Sequence, residues 1–331
     1  MKVLITGATG FVGKATVQAL IERGHTVRCF VRPTSDTTEF DGLENLSIFT
    51  GSLFNDEDLE KAMRGYDALV HLANVYSFWE LNPSSYDEVN INGTIHVMRA
   101  ASKSFLGHVV HISTAVVYGD AQPQPYNELT QYGSERFSQY ADSKFYGEKF
   151  AEKFMEEEGL PLTILQPASV IGAGDLKSSG RQIENFVLNK YPVKAFLGTK
   201  ITYVYVKDVA DAIVRVLENP KTIGQRYLIG KESITHEEYL NKIAETANIK
   251  LPKLVLPDWA ALFLAQALTV RANRTGKPPL WGFSIDMAKT FQAGFQADGT
   301  RAEQELGLSY TPVVEALEES IRWHMKNLEK N

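Results

Sequence analysis

The stretch KVLITGATGFVG at residues 2–13 decides the fold of this chain. It opens with KVLIT at 2–6, a short run rich in β-branched residues, and a helical pattern follows the glycines as far as Arg23. Three glycines at G-x-x-G-x-x-G spacing separate the strand from the helix. A glycine turn in this setting predicts a dinucleotide-binding site, because the backbone can approach a pyrophosphate at the positive end of the helix.

Each glycine of this turn has its own role. Gly7 can make the tight turn, Gly10 lets the backbone come close to the pyrophosphate, and Gly13 lets the helix lie against the strand. The alternative is a glycine-rich turn that binds no ligand. The other residues of the turn that we expect to contact the cofactor are Thr9, Phe11 and Val12.

The alternation of strand and helix continues outward from this turn. Short apolar runs that alternate with helical patterns lie at 26–31, 46–49, 68–72, 108–113 and 162–167. Because parallel crossovers are right-handed, this order predicts an α/β fold with a Rossmann-type doubly wound parallel sheet. Two later runs, VYV at 204–206 and RYLIG at 226–230, are expected to return to this sheet or its edge.

The chain is therefore divided into two predicted regions. Residues 1–167, with returning pieces at about 201–230, form the predicted dinucleotide-binding domain. Residues 168–200 and 231–331, where glycine-bearing loops and proline-punctuated helices replace the regular alternation, form a smaller, mainly helical substrate-binding region.

Composition excludes several classes of function. The 331 residues include 34 basic and 40 acidic side chains, and a net charge of −6 offers no broad basic face for nucleic acid. One cysteine, Cys29, allows no internal disulfide, and seven scattered histidines show no metal-binding spacing, so we predict no metal. Because the chain starts directly with a strand, we expect a cytoplasmic protein.

One apolar stretch later in the chain is too short for a membrane segment. Residues 254–270 contain Asp258 and Gln266 and fall short of the roughly 20 apolar residues that a membrane span requires. We predict an amphipathic helix here that lines the core or a pocket, and no membrane span.

The end of the second strand indicates which cofactor is bound. A carboxylate at this position would bind the ribose 2′-hydroxyl of NAD, whereas an arginine accommodates the 2′-phosphate of NADP. Arg32 stands here with no acidic neighbour, so we predict NADP(H), with NAD(H) less favoured. A charge-assisted contact is worth roughly 1.5–3 kcal/mol, or about a ten- to hundredfold preference. The alternative is that Arg32 lies at the solvent-exposed end of the strand and contacts no cofactor.

Tyr140 and Lys144 form a candidate catalytic pair. They are four residues apart in a helical segment, so both side chains project from one face of the helix. An ammonium at about 4 Å from a phenol would lower the pKa of the phenol by roughly three units, which would let Tyr140 exchange a proton near pH 7. A positioned acid or base of this kind contributes typically about 10²–10⁴-fold to rate.

These segments together resemble a known family. The glycine spacing, HISTAVVYG at 111–119 and YADSK at 140–144 are similar to extended short-chain dehydrogenases/reductases of the NAD-dependent epimerase/dehydratase family, and most similar to its dihydroflavonol-reductase-like branch. The resemblance runs from Lys2 to LGLSYTP at 306–312. It implies a catalytic trio of Thr114, Tyr140 and Lys144, with Lys144 also on the nicotinamide ribose.

The resemblance also implies further cofactor contacts. Ser113 lies beside Thr114, and Asn92 corresponds to a buried polar anchor in the family, although it could be purely structural. Two positions depart from the family pattern: Ser52 replaces an acidic residue and Gln166 replaces an arginine. The positions carried over as cofactor contacts are Leu53, Leu72, Ala73, Asn74, Ser113, Pro167 and Val170.

The sequence leaves three functions open: a ketone or aldehyde reductase, a nucleotide-sugar epimerase or dehydratase, and a non-catalytic NADP-binding scaffold or sensor. Dehydratases of the family carry an Asp-Glu pair where this chain has Ala115 and Val116, and epimerases an Arg-Asp pair where it has Ile201 and Thr202. We therefore predict a small-molecule carbonyl or alcohol substrate that is largely apolar. Arg181 could still bind a phosphate, and a homodimer is left open.

Aromatic residues support an apolar substrate if they line the pocket, although such residues more often belong to a core. The aromatic residues in the two relevant segments are Tyr76, Phe78, Trp79, Trp259, Phe263, Trp281 and Phe283.

Overall fold

A computed structural model describes residues 1–328 of the chain, apart from the side chain of Ser178. Residues 329–331 of the predicted substrate-binding region lie outside the described part. The strands of the described part are β1 (Lys2–Thr6), β2 (Thr26–Val31), β3 (Leu46–Thr50), β4 (Ala68–His71), β5 (His108–Ile112), β6 (Leu162–Pro167), β7 (Ser169–Ile171), β8 (Lys200–Tyr205), β9 (Arg226–Ile229) and β10 (Glu232–Thr235).

Helices connect and cover these strands. They are α1 (Phe11–Glu22), α2 (Asp56–Met63), α3 (Ser84–Tyr86), α4 (Thr94–Lys103), α5 (Gln139–Glu158), α6 (Ser178–Val187), α7 (Val206–Glu218), α8 (His236–Ala247), α9 (Asp258–Thr275), α10 (Ile285–Ala293), α11 (Thr300–Leu306) and α12 (Val313–Leu328). A π-helical segment, Asp87–Gly93, joins α3 to α4.

The large sheet has seven parallel strands in the order β3-β2-β1-β4-β5-β6-β9. Alternate residues of β1 face opposite sides: Val3 and Ile5 belong to one apolar core, and Leu4 belongs to the other. Helices α1 and α7 pack together over the first side, and α2, α4 and α5 cover the second. The predicted Rossmann-type doubly wound sheet is confirmed, with its strand order reversing between β1 and β4.

The later strands follow the prediction only in part. Strand β9 joins the edge of the large sheet, as expected for RYLIG. The expectation for VYV at 204–206 is wrong, because β8 lies in a second sheet of order β10-β8-β7. A short apolar strand such as β8 could pair in either sheet, so its partner depends on the path of the chain. Strand β7 follows β6 after one residue and leaves the large sheet, and β8 pairs with β7.

The carboxyl-terminal part is mainly helical, as predicted, and α9 covers the segment expected to line the core or a pocket. One face of α9 does so, since Ala261, Ala265 and Ala272 are buried. The expectation is wrong for Trp259 and Phe263, each 74% exposed, because the small alanines, and not the aromatic rings, pack toward α10. Within residues 1–328, no helix is long and apolar enough to cross a membrane.

Candidate active site

The glycine turn fits closely into the fold. Gly7 has φ of +75°, and a Cβ there would lie 2.6 Å from the backbone nitrogen of Ala73. At Gly13 a Cβ would overlap the carbonyl of Gly7 and lie 2.7 Å from that of Ala8. At Gly10 a Cβ would come no closer than 3.2 Å to any of the atoms that surround it. Packing therefore requires glycine at 7 and 13, whereas the absence of a side chain at Gly10 leaves the helix end open to a ligand.

The amino end of α1 suits a phosphate. Gly10 is its N-cap, and no side chain of the described residues caps the first turn. The first N–H groups of a helix have no intrahelical partner, so these groups can donate to an anion. Thr9, Phe11 and Val12 are half-buried around this point.

The other predicted cofactor contacts lie at the carboxyl edge of the large sheet. Exposed Arg32 directly follows β2, and half-buried Leu53 follows β3 and faces Gly93. The structure brings these positions to one side of the sheet, where ligands of such folds bind. The remaining predicted contacts lie at or just beyond the ends of β4, β5 and β6. Leu72, Ala73 and Asn74 follow β4, Ser113 follows β5, Pro167 is the last residue of β6, and Val170 lies in β7 of the second sheet.

Among them, Asn74 turns back on its own segment, because its side-chain Nδ2 donates to the carbonyl of Leu72 at 2.9 Å. Ser113 is buried, and its Oγ has no hydrogen-bond partner among the described residues. An orphaned hydroxyl at the end of β5 fits a bound polar group. The edge as a whole therefore fits a dinucleotide.

Strand β5 and helix α5 bring the three predicted catalytic residues together. Thr114 follows β5, and Tyr140 lies in the first turn of α5, which Ser138 caps by accepting from the Ala141 N–H at 3.2 Å. The side chains of Thr114 and Tyr140 are hydrogen-bonded. One turn further, Lys144 Nζ donates to the carbonyl of Ile112 at 2.7 Å.

Burial dominates the electrostatics of this trio. It raises the pKa of Tyr140 well above its usual value; nearby Tyr76 raises it further and the Thr114 hydrogen bond lowers it. Burial lowers the pKa of Lys144 to about 8, against the opposing charge of Glu148. The expectation that Lys144 brings the pKa of Tyr140 near 7 is wrong for the protein alone, because both groups lose solvation and Nζ is held by a carbonyl.

A buried polar cluster that was not expected lies one turn beyond Lys144. Glu148, fully buried, accepts from Gln166 Nε2 at 2.9 and 3.0 Å and from the Tyr132 hydroxyl, and Arg226 Nε lies 3.5 Å from Glu148 Oε1. Gln166, which replaces the arginine of the family pattern, therefore contacts this carboxylate, and the positive charge beside it is supplied by Arg226 of the neighbouring strand β9. The spacing of Tyr140, Lys144 and Glu148 at every fourth residue could have signalled the cluster.

Two histidines lie beneath the site and were also not expected. His71 and His111 stack with ring centroids 5.4 Å apart, and His71 Nδ1 lies 2.7 Å from Thr6 Oγ1. Burial lowers the pKa of His71 to about 3, and the charge of Lys144 lowers it further. Burial also lowers the pKa of His111. Both rings are therefore neutral near pH 7, so these two residues place no charge beside the candidate active site.

The buried polar anchor of the π-helical segment is Asn90, and the expectation for Asn92 is wrong. Asn90 Oδ1 accepts from the Val75 N–H at 2.7 Å, and its Nδ2 donates to Val75 O at 3.1 Å and to Ser143 Oγ at 2.9 Å. Asn92 is exposed. The two lie on different sides of the helix because they are two residues apart.

Aromatic rings form the wall opposite the catalytic tyrosine. The ring centroids of Tyr76 and Phe78 lie 5.0 and 6.4 Å from that of Tyr140, and Trp79 Nε1 donates to Asn273 Oδ1 at 2.8 Å. The structure thus brings Tyr76 and Phe78 to the site. Of the later aromatics, Trp281 and Phe283 are partly buried, the former with its ring centroid 6.2 Å from that of Tyr191.

The positions examined for nucleotide-sugar binding have other roles. Ile201 and Thr202 are buried, and Thr202 Oγ1 lies 2.7 Å from Ser233 Oγ and accepts from the Ala297 N–H at 2.8 Å. Arg181 is exposed on α6. Nearby Lys177 donates from Nζ to the Tyr76 carbonyl at 3.3 Å. Burial lowers the pKa of Lys177, the carboxylates of Glu80 and Asp175 oppose this, and the charges of Arg32 and Arg181 lower the pKa further.

Comparison with known proteins places this geometry in a family. The profile of the NAD dependent epimerase/dehydratase family matches residues 3–230. A protein of Synechocystis sp. that is provisionally named dihydroflavonol 4-reductase is 29% identical, over 96% of this chain and 93% of its own length. Cinnamoyl-CoA reductase CAD2 of Medicago truncatula is 26% identical, over 96% of this chain and 94% of its own.

A solved structure supports the fold over the whole length. UDP-glucuronic acid 4-epimerase of Bacillus cereus, in complex with UDP-glucuronic acid and NAD, superposes with a TM-score of 0.79 at 22% identity, covering 99% of this chain and 100% of the epimerase. Since the family profile spans the glycine turn, the catalytic trio and β9, the chain belongs to the NAD dependent epimerase/dehydratase family, as an extended short-chain dehydrogenase/reductase, and is an NAD(P)-dependent oxidoreductase.

Proposed function

We propose that the protein is an NADPH-dependent reductase of a largely apolar ketone or aldehyde. The observation that carries this proposal is the setting of Tyr140, which is hydrogen-bonded to Thr114 and faces the rings of Tyr76 and Phe78. A wall of aromatic rings favours an apolar substrate, and one phenol and one hydroxyl suffice to orient a carbonyl oxygen. Two of the relatives are named as reductases.

The chemistry follows from the protonation states. The cofactor supplies the hydride when bound. Burial keeps the Tyr140 phenol in its neutral form, which is the form that can donate a proton to the oxygen of a carbonyl being reduced. Thr114 holds that oxygen beside the phenol. Lys144, whose pKa is about 8, is largely charged at neutral pH, so it stabilises the phenolate that the proton transfer leaves.

The choice of NADPH rests on Arg32. Its guanidinium follows β2 without an adjacent carboxylate in the sequence, and Lys177 adds a second positive charge in its vicinity, although the carboxylates of Glu80 and Asp175 also act on Lys177. An acceptor with the extra charge of a 2′-phosphate is favoured at such a place, since charge-assisted bonds are among the stronger contacts available.

A panel of aldehydes, ketones and nucleotide sugars, offered with NADPH and followed by the loss of NADPH absorbance, tests the function. We expect turnover with apolar carbonyl compounds and none with nucleotide sugars. Loss of turnover in Tyr140→Phe assigns it to this site. Turnover confined to nucleotide sugars would contradict the proposal.

One observation keeps a nucleotide-sugar epimerase as the second candidate. Arg181 is exposed near the charged end of Lys177 and could bind a diphosphate. Against it, Ile201 and Thr202 are packed inside the small sheet. Calorimetry with UDP in the presence of NADP decides: micromolar binding that is lost in Arg181→Ala would favour the epimerase.

We also propose that the protein forms a homodimer through α5. Tyr146 and Phe150, four residues apart on this helix, are both exposed, and a self-complementary helix face can pair with its copy. Light scattering should give twice the chain mass, and Tyr146→Glu should return it to the mass of one chain. A single-chain mass for the unmodified protein would contradict this.

A further inference from the structure

The outward side of α9 carries an uncovered apolar surface. Trp259, Phe263 and Val270 follow one another at intervals of four and seven residues, so they share one side of the helix. Leu254 and Val255, just before the helix, are exposed as well. We call these five residues the α9 apolar face. Large apolar side chains clustered in this way mark an interaction site, whereas single ones need no explanation.

Basic residues stand at both ends of this face. Lys250 and Lys253 precede it, and three more cations follow it. In residues 250–277 five basic side chains accompany one acidic residue, Asp258, although the whole chain has a net charge of −6. Within the described part of the chain, none of the five is in an ion pair. The three that follow the face are Arg271, Arg274 and Lys277.

We propose that the α9 apolar face docks the protein onto the surface of an anionic lipid bilayer. A helix that lies in a membrane interface inserts aromatic and aliphatic side chains into the headgroup region and directs lysine and arginine to acidic lipids. An indole suits this position because its ring is apolar and its N–H remains hydrated. With 18 residues, α9 is about 27 Å long, so cations at both ends hold it parallel to the surface.

A second copy of the chain is a poorer occupant. An isologous contact places the same surface on both partners, so it would bring the cations of one α9 close to those of the other. Like charges at a few ångströms repel. A bilayer with acidic headgroups satisfies the same cations and accepts the apolar side chains together.

The docked helix also borders the catalytic cleft. Near the carboxyl end of α9, exposed Asn273 accepts from Trp79 Nε1, and one turn earlier Thr269 Oγ1 accepts from the Ile285 N–H at 2.8 Å. Ser284 Oγ in turn donates to the Phe78 carbonyl at 2.7 Å, and Phe78 faces Tyr140. A bilayer under α9 therefore lies beside the aromatic wall, and an apolar substrate dissolved in lipid can reach it; this last step rests on the proposed function.

Flotation with lipid vesicles tests the docking. The purified protein should float with phosphatidylcholine vesicles that contain phosphatidylglycerol, less with phosphatidylcholine alone, and less again in high salt. The Trp259→Gln/Phe263→Gln variant should lose at least about tenfold in partitioning, and Arg271→Gln/Arg274→Gln roughly tenfold on the anionic vesicles alone. Phe105→Gln is the matched control, since Phe105 is 92% exposed and lies before β5; it should float as the unmodified protein does.

Two outcomes would overturn the proposal. The first is that neither vesicle binds, or that the Trp259→Gln/Phe263→Gln variant floats unchanged. The second is that this variant loses self-association, or binding to an acidic protein, while the unmodified protein ignores vesicles; the face would then be a protein interface. Flotation requires neither cofactor nor turnover. A negative flotation result would therefore not contradict the proposed reductase activity, and a negative turnover assay would not contradict docking.

Discussion

The proposed role of Tyr140 is that of an acid and not of a base. Its phenol is buried, and aromatic rings cover it, so the uncharged form is favoured in the absence of substrate. A phenol in this state can give a proton only when negative charge develops on an oxygen beside it. That requirement couples proton donation to hydride arrival at the carbonyl carbon.

Removal of this acid is the most direct test of the trio. Tyr140→Phe keeps the ring and its packing against Tyr76, so we expect unchanged folding and NADPH affinity. Turnover should fall by at least about 10²-fold, as for other general acids. Steady-state kinetics and a fluorescence titration measure the two quantities. Near-normal turnover would assign the acid to another residue.

Lys144 predicts a pH-dependent proton uptake. Burial lowers its pKa to about 8, so at pH 8 about half of the side chains are neutral in the free protein. An anionic cofactor stabilises the ammonium and raises this pKa, so binding at pH 8 takes up as much as about half a proton, and affinity weakens as the pH rises above 8. Calorimetry in buffers of different ionisation enthalpy measures the uptake. Lys144→Met should abolish it; uptake that persists in this variant would exclude Lys144 as the source.

Arg32 predicts the cofactor preference. In Arg32→Glu an attraction to the 2′-phosphate becomes a repulsion, so NADPH affinity should fall by roughly ten- to hundredfold while NADH affinity stays or improves. Titration of both cofactors measures this. Arg64→Glu is the control, because exposed Arg64 lies before β4, at the opposite edge of the sheet. Equal affinities for the two cofactors in the unmodified protein would remove Arg32 from this role.

At the level of the elements, one glycine of the turn is needed for packing and another is expected to be needed for cofactor binding. Gly13→Ala forces a Cβ against two backbone carbonyls of the turn, which cannot move as a side chain could, so the free energy of unfolding should fall by about 1–3 kcal/mol. Gly10 has φ of −79°, and the nearest atom to an added Cβ is the Gly7 carbonyl oxygen at 3.2 Å, so Gly10→Ala should destabilise the fold less than Gly13→Ala does. Its NADPH affinity should still fall about tenfold or more, because the methyl group faces the pyrophosphate. Denaturant titration and fluorescence distinguish the two, and normal affinity in Gly10→Ala would contradict the predicted contact.

The strands and the placing of Tyr140 and Lys144 on one helix face could be predicted from the sequence because they depend on local patterns, whereas Thr114 came only from the resemblance. Hydrophobic period and glycine spacing gave β1, α1 and their turn, and the spacing of Tyr140 and Lys144 placed both on one helix face. The position of Asn90 was missed because a resemblance does not show which of two nearby asparagines points inward. Arg226 was missed because it lies 78 residues after Glu148 in the sequence, and only sheet pairing brings them together.

At the scale of the whole molecule, the pKa of a group and the burial of a side chain depend on neighbours that the fold brings together, and local sequence patterns do not show those neighbours. The pKa of Tyr140 was expected to fall because its neighbour is a lysine, but burial, with Tyr76, raises it instead. Trp259 was expected in the core or in a pocket, but it is exposed and the alanines of α9 face inward. The division into cofactor-binding and substrate-binding regions and the cytoplasmic location stay predictions.

The final prediction concerns Arg226 of β9, which pairs with both Glu148 and Glu152 of α5; Glu152 also pairs with Lys149 and so keeps a cation when Arg226 is removed. Arg226→Met leaves the fully buried carboxylate of Glu148 without its cation, and such a loss costs about 3–5 kcal/mol; Gln166 and Tyr132 still donate, so we expect about 3. Glu148→Gln/Arg226→Met removes both charges and should recover most of it. Arg322→Met breaks an exposed pair and should cost below about 1 kcal/mol. Denaturant unfolding measures all three. Because Glu148 raises the pKa of Lys144, the double variant should also shift the midpoint of cofactor-linked proton uptake to lower pH, whereas a purely structural pair would leave it unchanged.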